Sequence, residues 1–129
     1  FPGGTGVTPK STMSVYLSDG STVLVPDFTK ENQPEGTSAE AGYQVAGNDD
    51  GEYQILYFPG DSAFLISLLA EPLGLQRENA EAELRNTLKL SDSELCKLNS
   101  QVATSIYVSE TYAGQNLGLS FCPGSVVLP

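Results

Sequence analysis

The chain has 129 residues, 40% of them hydrophobic, which is enough for one folded domain with a single core. It contains no histidine, so Ser-His-Asp triads, HExxH zinc sites and other histidine-dependent centres are excluded. Sixteen acidic against six basic side chains give a formal charge of −10, which repels nucleic acid and anionic lipid.

The first eleven residues, FPGGTGVTPKS, have two Pro and three Gly and no helical or strand period. We expect residues 1–11 to be a flexible linker or arm and residues 12–129 to be one domain. The longest strongly apolar stretch, 64–70, is much shorter than a membrane span. Contact with a membrane is therefore expected only through an anchor that is absent from this chain.

The clearest local signal in the first half is a β-hairpin. Met13, Val15 and Leu17 alternate with polar residues, and residues 22–25 form a second β run. The Asp19-Gly20 pair between them predicts a two-residue type I′ turn. The polar stretch 27–42 that follows indicates a long surface loop.

Three further strands are predicted after this loop, at 43–46, 52–58 and 63–70. The last two flank a Pro-Gly-Asp-Ser turn and predict a second hairpin. Because 64–69 is almost continuously apolar, it predicts a strand at the centre of the sheet, buried on both faces, with a buried helical turn as the alternative.

Two helices follow. Residues 76–88 place Ala80, Leu84 and Leu88 on one face and set Glu81 four residues before Arg85, an i,i+4 ion-pair spacing. Residues 91–94 form a capping box, which predicts a short helix through residue 98.

Two β runs at 102–108 and 117–122 end the chain, joined by a polar loop. The resulting order predicts an α+β fold: a mainly antiparallel sheet of hairpins, with one medium and one short helix packed on one face.

Cys96 and Cys122 are the only cysteines, and neither lies in a zinc-binding spacing. The even count favours one structural disulfide, which would stabilise the fold by roughly 3–4 kcal/mol. Two buried free thiols in a reducing compartment, or one reactive thiol, are the alternatives.

The last loop is the best candidate for recognition. Tyr107, Tyr112 and Asn116 border it, and tyrosine combines apolar area with a polar tip, so they could form an exposed patch. The alternative is that the tyrosines pack at the rim of the sheet.

A weak calcium candidate lies in the turn that contains Asp49, Asp50 and Glu52. Its oxygen ligands suit Ca²⁺, but the EF-hand spacing is missing, and an acidic turn between strands is the ordinary reading. We therefore expect no cofactor and no other metal.

A carboxylate-based hydrolase needs only two acids across a cleft, so it stays an alternative, although tryptophan, a common sugar platform, is missing. Glu71 is the one acid beside a strongly apolar run. We expect it to be a turn residue that accepts hydrogen bonds from the backbone or from Arg77.

The second half carries a family resemblance in the stretches 64–73, 96–99 and 114–124, with weaker likeness at 25–28. These stretches resemble an uncharacterised domain of exported, membrane-anchored proteins in small-genome candidate-phylum bacteria, and residues 120–124 are the most specific part. The resemblance implies an amino-terminal anchor, a low-complexity linker and an exported, disulfide-bonded module. It implies no activity and no catalytic residue.

Together these observations predict a non-enzymatic, extracytoplasmic interaction module, secreted or anchored at the cell surface, whose partner is a protein or cell-surface component. A structural role is the alternative. The chain would then be a subunit of a surface filament or layer, assembled when the arm or an edge strand pairs with a neighbouring subunit.

Overall fold

A computed structural model describes residues 12–26, 43–47 and 51–129 of the chain. These residues form a two-stranded sheet, a four-stranded sheet and two helices, and the predicted α+β class is confirmed. The predicted arm 1–11, the predicted loop 27–42 and the calcium candidates Asp49 and Asp50 lie outside the described residues.

The predicted first hairpin is confirmed. Strands β1 (Thr12–Tyr16) and β2 (Thr22–Pro26) pair antiparallel, with Val15 opposite Val23. Alternate residues point inward, so Val15 and Val25 are buried in the core while the opposite face of the hairpin is exposed.

The hairpin turn differs from the prediction. The amide of Leu17 donates to Ser21 and the amide of Gly20 donates back to Leu17, so the loop has three residues, and only Gly20 has a positive φ, 89°. This is a type I turn followed by a left-handed glycine. Asp19 stays out of the left-handed region, and its carboxylate accepts the amide of Ser21 at 2.9 Å.

The larger sheet has the order β3-β4-β5-β6. Its strands are β3 (Tyr43–Gly47), β4 (Tyr53–Phe58), β5 (Ala63–Leu68) and β6 (Asn99–Thr104). The predicted central place of β5 is confirmed, but its residues alternate between buried and half-buried, so the expectation of burial on both faces is wrong. Apart from Ser67, the sequence is apolar at both sets of positions and could not show this difference.

One strand pairing is parallel. β3, β4 and β5 are mutually antiparallel, whereas β5 and β6 run in the same direction. Parallel neighbours need a crossover connection, and the two helices between β5 and β6 provide it. The parallel pairing was missed because the hairpins earlier in the chain suggested antiparallel pairing throughout.

Helix α1 (Leu73–Leu88) packs against strands of both sheets and begins three residues before its predicted start. Gly74 lies in the first turn of the helix. Only glycine fits there without a shift, because a Cβ would be 2.6 Å from the oxygen of Pro129. The predicted apolar positions Ala80, Leu84 and Leu88 are buried, as expected.

The capping box before helix α2 (Asp92–Cys96) is confirmed. The Ser91 hydroxyl accepts the amide of Glu94, and the Glu94 carboxylate accepts the amide of Ser91. The helix ends at Cys96 rather than at Leu98, which instead bridges to Leu17. This bridge and the bond from the Ser18 amide to the Lys97 carbonyl join the hairpin to the rest of the fold.

The end of the chain is not the strand that its sequence predicts. β6 stops at Thr104 rather than at Val108, and residues 116–129, which we call the strap, contain no strand. Gly118 has a φ of 76°, which breaks an extended run, and the strap lies along α1 instead. Among the described residues, no helix is long and apolar enough to cross a membrane.

Candidate functional site

The three residues of the predicted recognition patch have different environments. The Tyr107 side chain is 93% exposed, whereas Tyr112 is half-buried against the core. The Asn116 side-chain oxygen accepts the amides of Val102 at 3.0 Å and Gly118 at 3.1 Å, so it holds the strap against the outer edge of β6. Tyr107 and Asn116 are both exposed, but Asn116 is engaged through its side-chain oxygen.

The loop that presents Tyr107 is fixed by its own backbone. The Ser105 carbonyl accepts the amides of Val108 and Ser109, both at 3.0 Å. Val108 packs on the core below, which leaves Ile106, 61% exposed, and Tyr107 at the tip of the turn. A tip held in this way loses little conformational entropy on binding.

The strap below this loop is held by the buried Arg77, whose partners differ from the one that the sequence predicted. The Nη1 atom of Arg77 lies 2.8 Å from the carbonyl of Val126, 3.3 Å from that of Gly118 and 3.4 Å from that of Leu117. The predicted bond from Arg77 to Glu71 is therefore wrong, and Glu71 is exposed. Burial lowers the pKa of Arg77, while the charge of Glu81, whose Oε2 is 4.0 Å from Nε, acts in the opposite direction.

One helical turn further along, Glu81 holds a second point of the strap. Its two carboxylate oxygens accept the amide of Ser120 at 2.5 Å and the hydroxyl of Ser120 at 2.7 Å. The predicted pair between Glu81 and Arg85 is replaced by an Arg85–Asp92 ion pair with a 2.7 Å contact. Glu81 is buried and makes charge-assisted bonds to the backbone, so its role here is to fasten the strap.

The predicted disulfide is confirmed and fastens the strap at a third point. Cys96 of α2 is bonded to Cys122, with 5.5 Å between their Cα atoms. The Arg85 guanidinium stacks 4.4 Å from the centre of the Phe121 ring beside it. The sequence predicted that Cys122 ends a strand, but it lies in a turn.

The far end of the strap meets the start of α1, where the amide of Gly74 donates to the Pro129 oxygen at 2.8 Å. This contact lies beside the carboxyl ends of β5 and β6. A hydrogen bond of 2.7 Å from the Thr104 hydroxyl to the Leu68 carbonyl joins these two strand ends. The end of β5, the end of β6, the start of α1 and the end of the strap therefore share one end of the molecule.

We call this region the carboxyl-end surface. It includes four exposed apolar side chains: Leu75, Ile106, Tyr107 and Val127. It also includes four exposed carboxylates: Glu52, Glu71, Glu78 and Glu110. The basic side chains of the described residues that reach solvent, Arg85, Lys89 and Lys97, belong to the opposite end, around the end of α1 and the start of β6.

Three surface clefts show how carboxylates are distributed. A cleft of about 510 Å³ between β2 and the end of α1, and one of about 360 Å³ beside β6, are lined without any carboxylate. A third cleft, beside Tyr53, has Glu83 as its single carboxylate. Burial, together with the charge of Glu83, raises the pKa of Tyr53. None of the three contains the pair of acids that hydrolysis of a glycoside needs.

The calcium candidate receives no support from the part of the turn that is described. Glu52 is exposed, and among residues 12–26, 43–47 and 51–129 no three His, Cys, Asp or Glu side chains are grouped closely enough to hold a metal ion.

No protein-family model, curated protein or solved structure matches the chain. The resemblance drawn from the sequence stays a prediction.

Proposed function

We propose that this chain is a non-enzymatic, extracytoplasmic interaction module that binds a protein or a cell-surface component. The observation that carries the proposal is the pair Ile106 and Tyr107, exposed together at the tip of a loop that backbone bonds and the core hold in place. Tyrosine is enriched among the residues that contribute most to protein interfaces.

The disulfide supports an extracytoplasmic location, since such bonds persist in oxidising compartments and are rare in reducing ones. Residues 1–11, with two Pro and three Gly, have the composition of a flexible tether.

The roles of the buried charges support a non-enzymatic module. Arg77 and Glu81 are the buried charged residues among those described, and both bind atoms of the strap. Charged side chains that face a cleft would suggest a catalytic centre, but here Nη1 of Arg77 and the carboxylate of Glu81 bind backbone groups of the strap.

A photo-crosslinking experiment tests the proposal. A benzophenone amino acid placed at position 107 should form adducts with a specific protein in cells that export the full chain. The same probe at position 16, an exposed tyrosine of the hairpin, is the matched control. Adducts only at position 16, or turnover of a hydrolase substrate that a carboxylate-to-amide variant abolishes, would contradict the proposal.

Self-assembly is the second candidate, and the hairpin favours it. The Leu17 amide donates to the Ser21 carbonyl, which sets the ladder so that Thr12 and Ser14 direct their backbone groups outward from β1, toward the place where an added strand would pair. Light scattering of the full chain and of a chain lacking residues 1–11 tests this candidate. A monomer in both cases would eliminate it.

A further inference from the structure

We propose that the carboxyl-end surface binds a basic segment of a partner protein, with an apolar or aromatic side chain packed on Ile106 and Tyr107 and Lys or Arg side chains facing the surrounding carboxylates. This inference rests on the proposed function and adds the location of the site and the chemistry of the partner.

The distribution of exposed apolar side chains points to this end. Six large hydrophobic residues are exposed among those described, and four of them belong to the carboxyl-end surface: Leu75 at 50%, Ile106 at 61%, Val127 at 87% and Tyr107 at 93%. Single exposed apolar residues are ordinary on proteins, but a concentration at one end, rimmed by polar groups, is typical of an interaction site.

The charges at this end select the partner. Glu52, Glu71, Glu78 and Glu110 are exposed here, and no Lys or Arg of the described residues is exposed beside them. At the other end the charges are mixed, because Arg85 pairs with Asp92 and Lys97 lies 4.0 Å from Asp19. Carboxylates that form no ion pair with another described residue attract a cationic segment and speed its association, and they repel phosphate and anionic lipid.

A second copy of the chain is a poor occupant. Two carboxyl-end surfaces facing each other would bring like charges together, at an unfavourable Coulomb energy. The opposite end offers little positive charge to pair with, since Lys89 is its one exposed base without an ion pair among the described residues. A partner with several basic side chains fits better.

The test is a selection of displayed random peptides against the full-length protein, followed by measurement of the affinity of the selected peptides. We expect enrichment of sequences that combine Lys or Arg with aromatic or large apolar residues. The variant Ile106→Ser/Tyr107→Ser should weaken their binding by at least about tenfold. Raising the salt from 0.05 to 0.3 M should weaken binding severalfold.

Two further variants separate the components of the proposal. The triple variant Glu71→Gln/Glu78→Gln/Glu110→Gln should weaken the binding of the selected peptides by about tenfold, although it removes no apolar area. Tyr16→Ser/Leu24→Ser removes the exposed apolar residues of the hairpin and should change the affinity by less than about twofold. All these positions are exposed, so the variants should fold, and their thermal unfolding midpoints verify this.

Selected peptides that are neutral or acidic, or that bind Ile106→Ser/Tyr107→Ser normally, would overturn the inference, and so would a selection that yields no binder. Peptides that lose binding only in Tyr16→Ser/Leu24→Ser would overturn the inference while leaving the proposed function intact. Turnover of a hydrolase substrate would overturn the proposed function itself.

Discussion

The strap and the first hairpin attach to the core in opposite ways. The hairpin has regular strands, yet its backbone joins the rest of the described fold at Leu17 and Ser18. The strap has no strand or helix, yet Arg77, Glu81 and a disulfide fasten it at separate points along α1 and α2.

From this difference we infer that regular secondary structure is a poor guide to how firmly a segment is held. A ladder satisfies backbone groups within the hairpin, but a two-stranded sheet alone is marginally stable in water. In the strap, buried side chains satisfy backbone groups, and each of these bonds also ties the segment to a helix. The strap should therefore keep the carboxyl-end surface rigid, which favours binding there over the hairpin face.

Removing the arginine should have the largest effect. Arg77→Ala leaves strap carbonyls without their donor and the buried Glu81 without its neighbouring positive charge, at a cost of about 3–5 kcal/mol in the free energy of unfolding. Urea denaturation measures this cost. The control, Arg85→Ala, removes a half-exposed arginine, and a loss of equal size there would refute the special role of Arg77.

The disulfide should rank next. With a sequence separation of 26 between the cysteines, the chain-entropy relation gives about 3.5 kcal/mol, and Cys96→Ser/Cys122→Ser should lose about that amount. Reductant should lower the unfolding midpoint of the wild type but not that of the double variant. A midpoint that is insensitive to reductant in both proteins would contradict this prediction.

The Glu81 contact should come third. Glu81→Gln keeps one acceptor for Ser120 but loses the charge, and we expect a loss of about 1–2 kcal/mol. A double-mutant cycle with Ser120→Ala isolates the contact, and a coupling energy near zero would show that the two residues do not interact.

Two glycines permit a matched comparison of the regions. Gly118 in the strap and Gly20 in the hairpin both have a positive φ, 76° and 89°. A Cβ on Gly118 would lie 3.2 Å from the Cα of Ser125, whereas one on Gly20 would meet open space. Gly20→Ala should cost about 1 kcal/mol and Gly118→Ala about 2 kcal/mol or more, and the reverse order in urea denaturation would contradict the account.

The smallest effect concerns Asp19 and pH. Hydrogen bonds from the Ser21 hydroxyl and amide lower the pKa of Asp19 below its ordinary value of 3.8. The folded state therefore gains stability from the ionised carboxylate above that value, and the gain is lost as the pH falls through the lowered pKa. Asp19→Asn should melt slightly below the wild type at pH 7, and the difference should vanish once the pH lies below the lowered pKa of Asp19. A constant difference would exclude ionisation as its source.

Sequence reasoning succeeded where the signal was local. The capping box at Ser91, the hairpins and the apolar positions of α1 depend on residues a few places apart, and the disulfide followed from a count of two cysteines. The strap was missed because its partners are distant: Arg77 and Val126 are 49 residues apart. One signal was present, since Arg77 and Glu81 lie on the same face of α1 as the buried leucines.

Amide hydrogen exchange tests the central claim, that the strap is held as firmly as the core. The account predicts that the amides of Leu117, Ser120 and Val126 exchange only through global unfolding, and that those of Val15 and Val23 in the hairpin exchange through a smaller, local opening. Strap amides that exchange as fast as the hairpin amides, or faster, would contradict it.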